Sequence, residues 1–362
     1  MNIVWAILFL LLPLAGQYYA SLRVWQLLPD VMPLKIVVVA IMAMALIAFI
    51  VCMSGLMNKM SLGLATIFYE VGTSWLVIMF YLVMLFGVLD LAITVHLIPV
   101  SFLRRSLIGS VAVTVFMVGL FTYAYLNFDH KQRVEILLNS EGKVHKPVKL
   151  IMISDLHLGY HNRRSDLHRW LELIKKEKPN AILIAGDLID RSIRPVSEEN
   201  SAEEFRQLSI PVYAIFGNHD YYTGISAERE FCHQCGIQII KDSVTYFGDI
   251  AIVGRDDRTN RNRKSLKQIM HGIDRSKYII EMDHQPRQLE EARQNGVDFE
   301  FAGHTHNGQV WPLNWICNAI YEDAFGPLTK GKTKYYVSSG LGIWGAKFRI
   351  GTQSEYIVAI VK

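Results

Sequence analysis

Apolar residues fill the first 127 positions in long blocks, and from about position 148 they return only as short runs that end in polar clusters. The two rhythms imply two solvents. A helix that crosses a bilayer needs about 20 mostly apolar residues, and the blocks near 3–20, 34–57, 73–98 and 106–126 reach that scale. Region 1–127 therefore reads as an all-α transmembrane region of about four helices. The first block has the look of a signal peptide, but no basic stretch precedes it and three further blocks follow.

Residues 128–147 are polar and turn-rich, above all Asn139-Ser140-Glu141-Gly142-Lys143, and read as a connector with one short strand at most. Beyond it, Val148 to Ile153, Ala181 to Ala185 and Val212 to Phe216 are buried-strand runs. An amphipathic helix from Arg163 to Lys178 and a short one from Ala202 to Leu208 separate them. Strands joined through helices pair in parallel by right-handed crossovers. After Asp220 the strands crowd together: Ile237–Ile240, Val244–Phe247, Ile250–Val253, Tyr278–Met282, Phe299–Ala302, Tyr335–Val337 and Tyr356–Val361. Region 148–362 is thus expected to be α/β, with two sheets packed face to face and helices on the outer faces.

Of 37 Lys and Arg and 33 Asp and Glu, only five basic and three acidic residues precede position 128, which leaves 32 and 30 for an almost neutral remainder. A formal charge of +4 without a basic stripe gives nucleic acid no electrostatic footprint, so no such partner is expected. The few charges among the blocks still bear on orientation. Arg23, Lys35, Arg104 and Arg105 follow the first and third blocks, whereas Lys59 and Glu70 follow the second. The positive-inside rule then puts the first and third loops in the cytoplasm, and region 148–362 on the extracytoplasmic side of a multi-pass inner-membrane protein. Asp90 and His96 in the third block are candidates for an intramembrane role. Cys232 and Cys235 form a Cys-x-x-Cys that reads first as a structural pair; a disulfide, a redox motif or half a zinc site share the spacing, but no second Cys-x-x-Cys completes a structural zinc site.

The chemistry sits where the strand runs stop. Asp155-Leu156-His157, Gly186-Asp187-Leu188-Ile189-Asp190, Gly217-Asn218-His219-Asp220, Asp283-His284-Gln285-Pro286 and Gly303-His304-Thr305-His306-Asn307-Gly308-Gln309 each follow a predicted strand. One such cluster alone is a turn or a cap. Five in series, rich in carboxylate, amide and imidazole, describe a site for two hard or borderline cations at the carboxyl edge of the sheets, where ligands of α/β proteins bind.

These five clusters, in this order over about residues 148–361, resemble the calcineurin-like metallophosphoesterases, within a membrane-anchored bacterial subgroup that carries the Asp-His-Gln-Pro variant. The resemblance implies a four-layer αββα sandwich. It implies that Asp155, His157 and His306 hold a first metal, that Asn218, His284 and His304 hold a second, and that Asp187 bridges them. It also implies in-line attack on phosphorus by a hydroxide between the metals, with His219 contacting the phosphoryl group and protonating the leaving oxygen. Asp190 and Asp220 are expected to orient imidazoles or loops, and Arg255 is either a phosphate contact or part of a solvated turn. Two divalent ions are implied, and a ligand set without thiolate suits manganese, iron or zinc better than calcium. The expected partners are the lipid bilayer and a phosphorylated small-molecule or lipid substrate. Ser338-Ser339-Gly340-Leu341-Gly342 resembles a loop of the family near its site. Trp311, Trp315, Ile316, Trp344 and Phe348 are either core or a cap for a lipid tail. A membrane sensor or transporter with a non-catalytic metal-binding domain is the alternative function, and a nuclease a more distant one.

Overall fold

In the computed structural model, which describes residues 3–362 with side chains from Leu11 onward, the first four helices are α1 (Ile3–Leu27), α2 (Met32–Cys52), α3 (Leu62–Thr94) and α4 (Leu107–Asp129). Among the described residues, α2, α3 and α4 are long and apolar enough to cross a membrane. The expected span 3–20 falls on α1, and its first residues lie outside those whose side chains are described. Helix α3 begins well before the predicted position 73. The Ser61 side chain accepts from the Leu64 amide and caps it there, so Glu70 belongs to a helix and not to a loop. Asp90 accepts from the Tyr19 hydroxyl at 2.7 Å and pairs with Arg23, whereas His96 lies beyond the end of α3 and is exposed.

The chain divides into two compact units, Met1–Tyr125 and Leu126–Lys362. The second holds strands β1 (Lys131–Leu138), β2 (Val148–Ile153), β3 (Ala181–Ala185), β4 (Val212–Ile215), β5 (Gln238–Ile239) and β6 (Ser243–Phe247). It continues with β7 (Ile250–Gly254), β8 (Tyr278–Met282), β9 (Phe299–Ala302), β10 (Gly326–Lys330), β11 (Thr333–Val337) and β12 (Ser354–Val361). They form two six-stranded sheets, ordered β1-β12-β2-β3-β4-β5 and β10-β11-β9-β8-β7-β6. The run β2-β3-β4-β5 is parallel, as its crossovers require, and β7-β8-β9 is parallel in the other sheet.

The layers follow from side-chain alternation. Leu150 and Met152 of β2 enter the core between the sheets, while Ile151 and Ile153 face an outer core with Trp170, Leu171 and Ile174 of α5 (Arg164–Lys176). The short helices α6 (Arg194–Glu198) and α7 (Ala202–Arg206), then α8 (Asn218–Thr223) and α9 (Ile225–Cys235), follow β3 and β4. On the opposite outer face, Ala251, Val253 and Ile279 pack with Leu266 of α10 (Leu266–Ile269) and Ala292 of α11 (Glu290–Asn295). Helix α12 (Leu313–Ile320) stands apart and buries none of its residues.

Two strands escape a reading of the sequence, both at sheet edges. The connector expected over 128–147 contributes the eight-residue β1, which pairs in parallel with β12 from Lys131↔Ser354 to Leu138↔Val361. Arg133, Glu135 and Leu137 are exposed and alternate with half-buried positions, so its apolar signal is diluted. Strand β10 contains Pro327, which only an edge strand tolerates. Cys232 and Cys235 are free thiols in α9, one turn apart, packed in the outer core. Burial pushes both thiols well up, which disfavours thiolate chemistry there.

Candidate metal centre

Five strand ends, β2, β3, β4, β8 and β9, deliver the five polar clusters to one edge. Backbone geometry marks them out. Asp155, His157, Asp187, His304 and His306 all have positive φ, between 45° and 71°. Each such non-glycine residue costs on the order of 1–3 kcal/mol and persists only where the surroundings over-determine it. The crowding explains two glycines: a Cβ on Gly217 would strike the Asp187 carboxylate, and one on Gly303 would strike Ser154 and the Asp155 carboxylate.

Three groups of ligand atoms converge, each within 4.8 Å: Asp155, His157 and His306; His157, Asp187 and His219; and Asp187, His284 and His304. Asp187 and His157 each belong to two of them. His157 Nε2 lies 3.1 Å from His306 Nε2, and both face Asp155 Oδ1 at 3.8 and 3.4 Å. On the other side His284 Nε2 is 3.1 Å from Asp187 Oδ2, and His157 Nε2 is 3.6 Å from the same oxygen.

The fit to cations can be tested atom by atom. His284 Nδ1 donates to Ala185 O at 2.7 Å, and the buried Nε2, although 3.1 Å from Asp187 Oδ2, makes no well-aligned hydrogen bond. Asn218 Oδ1 is likewise buried without a partner. Unsatisfied buried acceptors of this kind are costly unless an ion completes them. Burial pushes His304 down to about 3 and holds His306 well below the usual histidine range, so both present neutral lone pairs. Burial also opposes charge on His284, yet Asp187 outweighs it and raises that pKa, which marks a position that takes a proton or a cation. The donor set fits divalent metal.

The remaining predicted residues sort clearly. Asp190 Oδ1 is 2.7 Å from His219 Nδ1, and the His219 amide donates to Asp187 Oδ1 at 2.8 Å. Burial disfavours imidazolium at His219, but Asp190 and Asp187 reverse that and raise its pKa. Asp220 accepts from the amides of Gly217, Asp187, Leu188 and Ile189 at 2.7, 2.9, 2.9 and 3.2 Å, and so shapes the strained Asp187 turn. Arg255 is not a free phosphate contact. Its guanidinium is buried and paired with Glu291 at 3.0 Å, Asp283 at 3.2 Å and Glu281 at 3.7 Å.

Arg349 carries no signal in the sequence, yet it is fully buried and donates to His306 O at 2.6 Å and Ser339 O at 2.5 Å. It ties the histidine loop to the Ser338–Gly342 loop, whose Leu341 and Gly342 amides donate to Ser154 O and Asp155 O. A lone arginine in an ordinary context gives no pattern to find.

The family model described as calcineurin-like phosphoesterase matches residues 148–308. An uncharacterized metallophosphoesterase of Campylobacter jejuni is 30% identical over 60% of this chain and 60% of its own length. A Danio rerio transmembrane protein with metallophosphoesterase domain is 30% identical over 59% of this chain and 53% of its own. This chain thus spans less than two thirds of the curated relatives it matches first. Among solved structures, a 5'-nucleotidase precursor from Thermus thermophilus aligns at 14% identity with a TM-score of 0.38, covering 59% of this chain and 55% of that one. The matched stretch contains all five strand-end clusters, and with it the chain carries a calcineurin-like metallophosphoesterase domain.

Proposed function

We propose that the protein is a membrane-anchored phosphohydrolase that uses two divalent cations, with manganese, iron or zinc the fitting choices. The reading rests on one observation above all: Asp187 shares one ligand cluster with His284 and His304 and another with His157, which itself belongs to the Asp155–His306 cluster, so this carboxylate stands between the two groups as one shared by two cations must. Asp155, His157 and His306 would hold the first ion. Asn218, His284 and His304 would hold the second, and Asp187 would serve both. When bound, such a pair lowers the pKa of water and neutralises the phosphoryl oxygens.

The protein's own groups do the rest. His219, braced by Asp190 through Nδ1, offers Nε2 to the phosphoryl group and donates a proton from it to the leaving oxygen. Asp220 keeps the Asp187 turn in its left-handed geometry. The substrate class we favour is a phosphodiester, phosphomonoester or pyrophosphate attached to a lipid, because helices of membrane-spanning length hold the domain at a bilayer. Two ion pairs support an extracytoplasmic domain. Asp30, in the first inter-helix loop, contacts Lys35 at 3.1 Å and Arg105, in the third, at 3.2 Å. Both basic loops therefore meet at one end of the helices, the cytoplasmic end by the positive-inside rule.

The test uses the full chain in detergent with bis(p-nitrophenyl) phosphate, Mn²⁺, Fe²⁺ or Zn²⁺, and metal analysis of the protein. Metal-dependent turnover that Asp187→Asn abolishes supports the reading. Two bound ions with no turnover under any of the three metals would leave the sensor alternative standing.

A further inference from the structure

Helix α12 is inside out. Leu313, Ile316 and Ile320 recur at i, i+3 and i+7, the spacing by which a surface helix normally faces its core. Here they are exposed, with Ile316 at 55% and Ile320 at 56%, and Trp315 beside them at 62%. The residues turned towards the protein are instead Pro312, Asn314 and Cys317. Trp311, Phe325 and Trp344 extend the exposed apolar surface. From Gln309 to Tyr321 the chain has no Lys, Arg, Asp or Glu.

This segment is held in place. The Trp311 amide donates to Ile350 O at 2.7 Å, its ring meets Trp315 edge to face at 5.4 Å, and Cys317 Sγ reaches Thr305 O at 3.8 Å. A side chain on Gly308 would strike the Asn314 backbone, so the helix start is wedged against the histidine loop.

We propose that α12, with Trp311, Phe325 and Trp344, seats in the boundary between headgroups and acyl chains of the bilayer that α2, α3 and α4 enter. Three observations choose lipid over a protein partner. Connectivity supplies the bilayer: α4 ends at Asp129 and β1 begins at Lys131, so the domain cannot diffuse away from the surface. Composition suits the boundary, where tryptophan concentrates and an amphipathic helix lies with its apolar face sunk about 5–10 Å. Size argues against a second copy, since a helix of this length spans about 12 Å and falls short of the roughly 800 Å² per partner that a stable dimer buries. Seated this way, α12 holds the His304–His306 loop at the lipid surface. The inference stands whether or not the site hydrolyses phosphoesters.

Fluorescence quenching in proteoliposomes of the full chain tests it. Trp315 is isolated as the difference between wild type and Trp315→Phe, a conservative change at an exposed position. Lipids brominated near the headgroup end of the acyl chain should quench that difference signal, and aqueous iodide should not. With Ile316→Glu in both proteins, the signal should become accessible to iodide. Quenching by iodide alone, by deep bromines alone, or by neither would overturn the proposal; the last would place Trp315 under another copy of the chain.

Discussion

At the strand edge, imidazole nitrogens and the Asn218 amide oxygen are buried without hydrogen-bond partners. A few residues downstream, on α12, tryptophan and isoleucine face outward. Both regions break the ordinary rule of burial, in opposite directions, and each does so on a rigid frame. The Arg255 cluster is the other buried charged group: Asp283 and Glu291 pair with Arg255 inside the chain, although Arg255 Nε, Glu281 Oε2 and Glu291 Oε2 make no hydrogen bond. A protein settles buried charge internally where it can. At the strand edge, where His284 Nε2 and Asn218 Oδ1 make no hydrogen bond, the completing group we propose is a cation. On α12 the same logic applies to apolar surface, and the outside group we propose is lipid.

The comparison is most exposed at Asp187. Asp187→Asn should lower phosphodiester hydrolysis by about 10³-fold, the scale lost when one charge-stabilising group is removed. Mn²⁺ at about a hundred times its Kd should stabilise wild type by about 2.7 kcal/mol and the variant by much less, read by thermal scans with and without chelator. If the variant keeps the full metal-dependent shift, the shared carboxylate is not the centre of the site.

Ordinary core burial provides the control. Leu183→Ala, between the sheets, should cost about 2–5 kcal/mol of stability with or without metal, measured by denaturant unfolding. Asp220→Asn tests the frame rather than the ligands. An amide in place of a carboxylate that accepts four backbone N–H groups misdirects the Asp187 turn. Metal affinity and kcat should fall roughly 10–100-fold, and a loss of stability without any change in metal titration would assign Asp220 to folding alone.

The internally paired cluster should betray itself by pH. Burial pushes Glu281 up to about 8, with Arg255 opposing, from an ordinary value of 4.5. The folded state therefore binds a proton that the unfolded state releases in between. This contribution is full below about pH 4.5 and is lost as pH rises through about 8. Glu281→Gln should flatten the decline in Tm across that window, and an unchanged profile would mean that Arg255 keeps Glu281 ionised. The smallest effect belongs to α12: Ile316→Ser should alter the stability of the detergent-solubilised protein by no more than about 0.5 kcal/mol, because nothing in the fold covers that side chain. A loss on the Leu183 scale would show that the exposed face is covered within the protein.

Much of the second unit is legible from local pattern. The runs Val148–Ile153, Ala181–Ala185, Tyr278–Met282 and Phe299–Ala302 are strands over those bounds, since residues buried on both faces leave a dense apolar signal. The edge strands are uneven: β5 and β6 keep an apolar run and are legible, whereas β10 carries Pro327, and the polar residues Arg133 and Glu135 of β1 leave room for only a short strand in the reading of 128–147. The early start of α3 turned on one serine cap. Arg349 acts through backbone carbonyls of loops distant in sequence, so no spacing announces it.

Sequence by itself determined that the clusters of carboxylate, amide and imidazole residues each stand at a strand end, because residue type and strand periodicity are local properties. It also determined that the first region suits lipid, through the length and composition of its helices. Only the tertiary structure decided that Asp187 lies in two ligand clusters, that Arg255 is paired with acids, and that the apolar stripe of α12 points outward. These are facts of long-range packing: which side of a helix meets the core, and which nitrogen of an imidazole is already bonded, depend on segments far away in the chain.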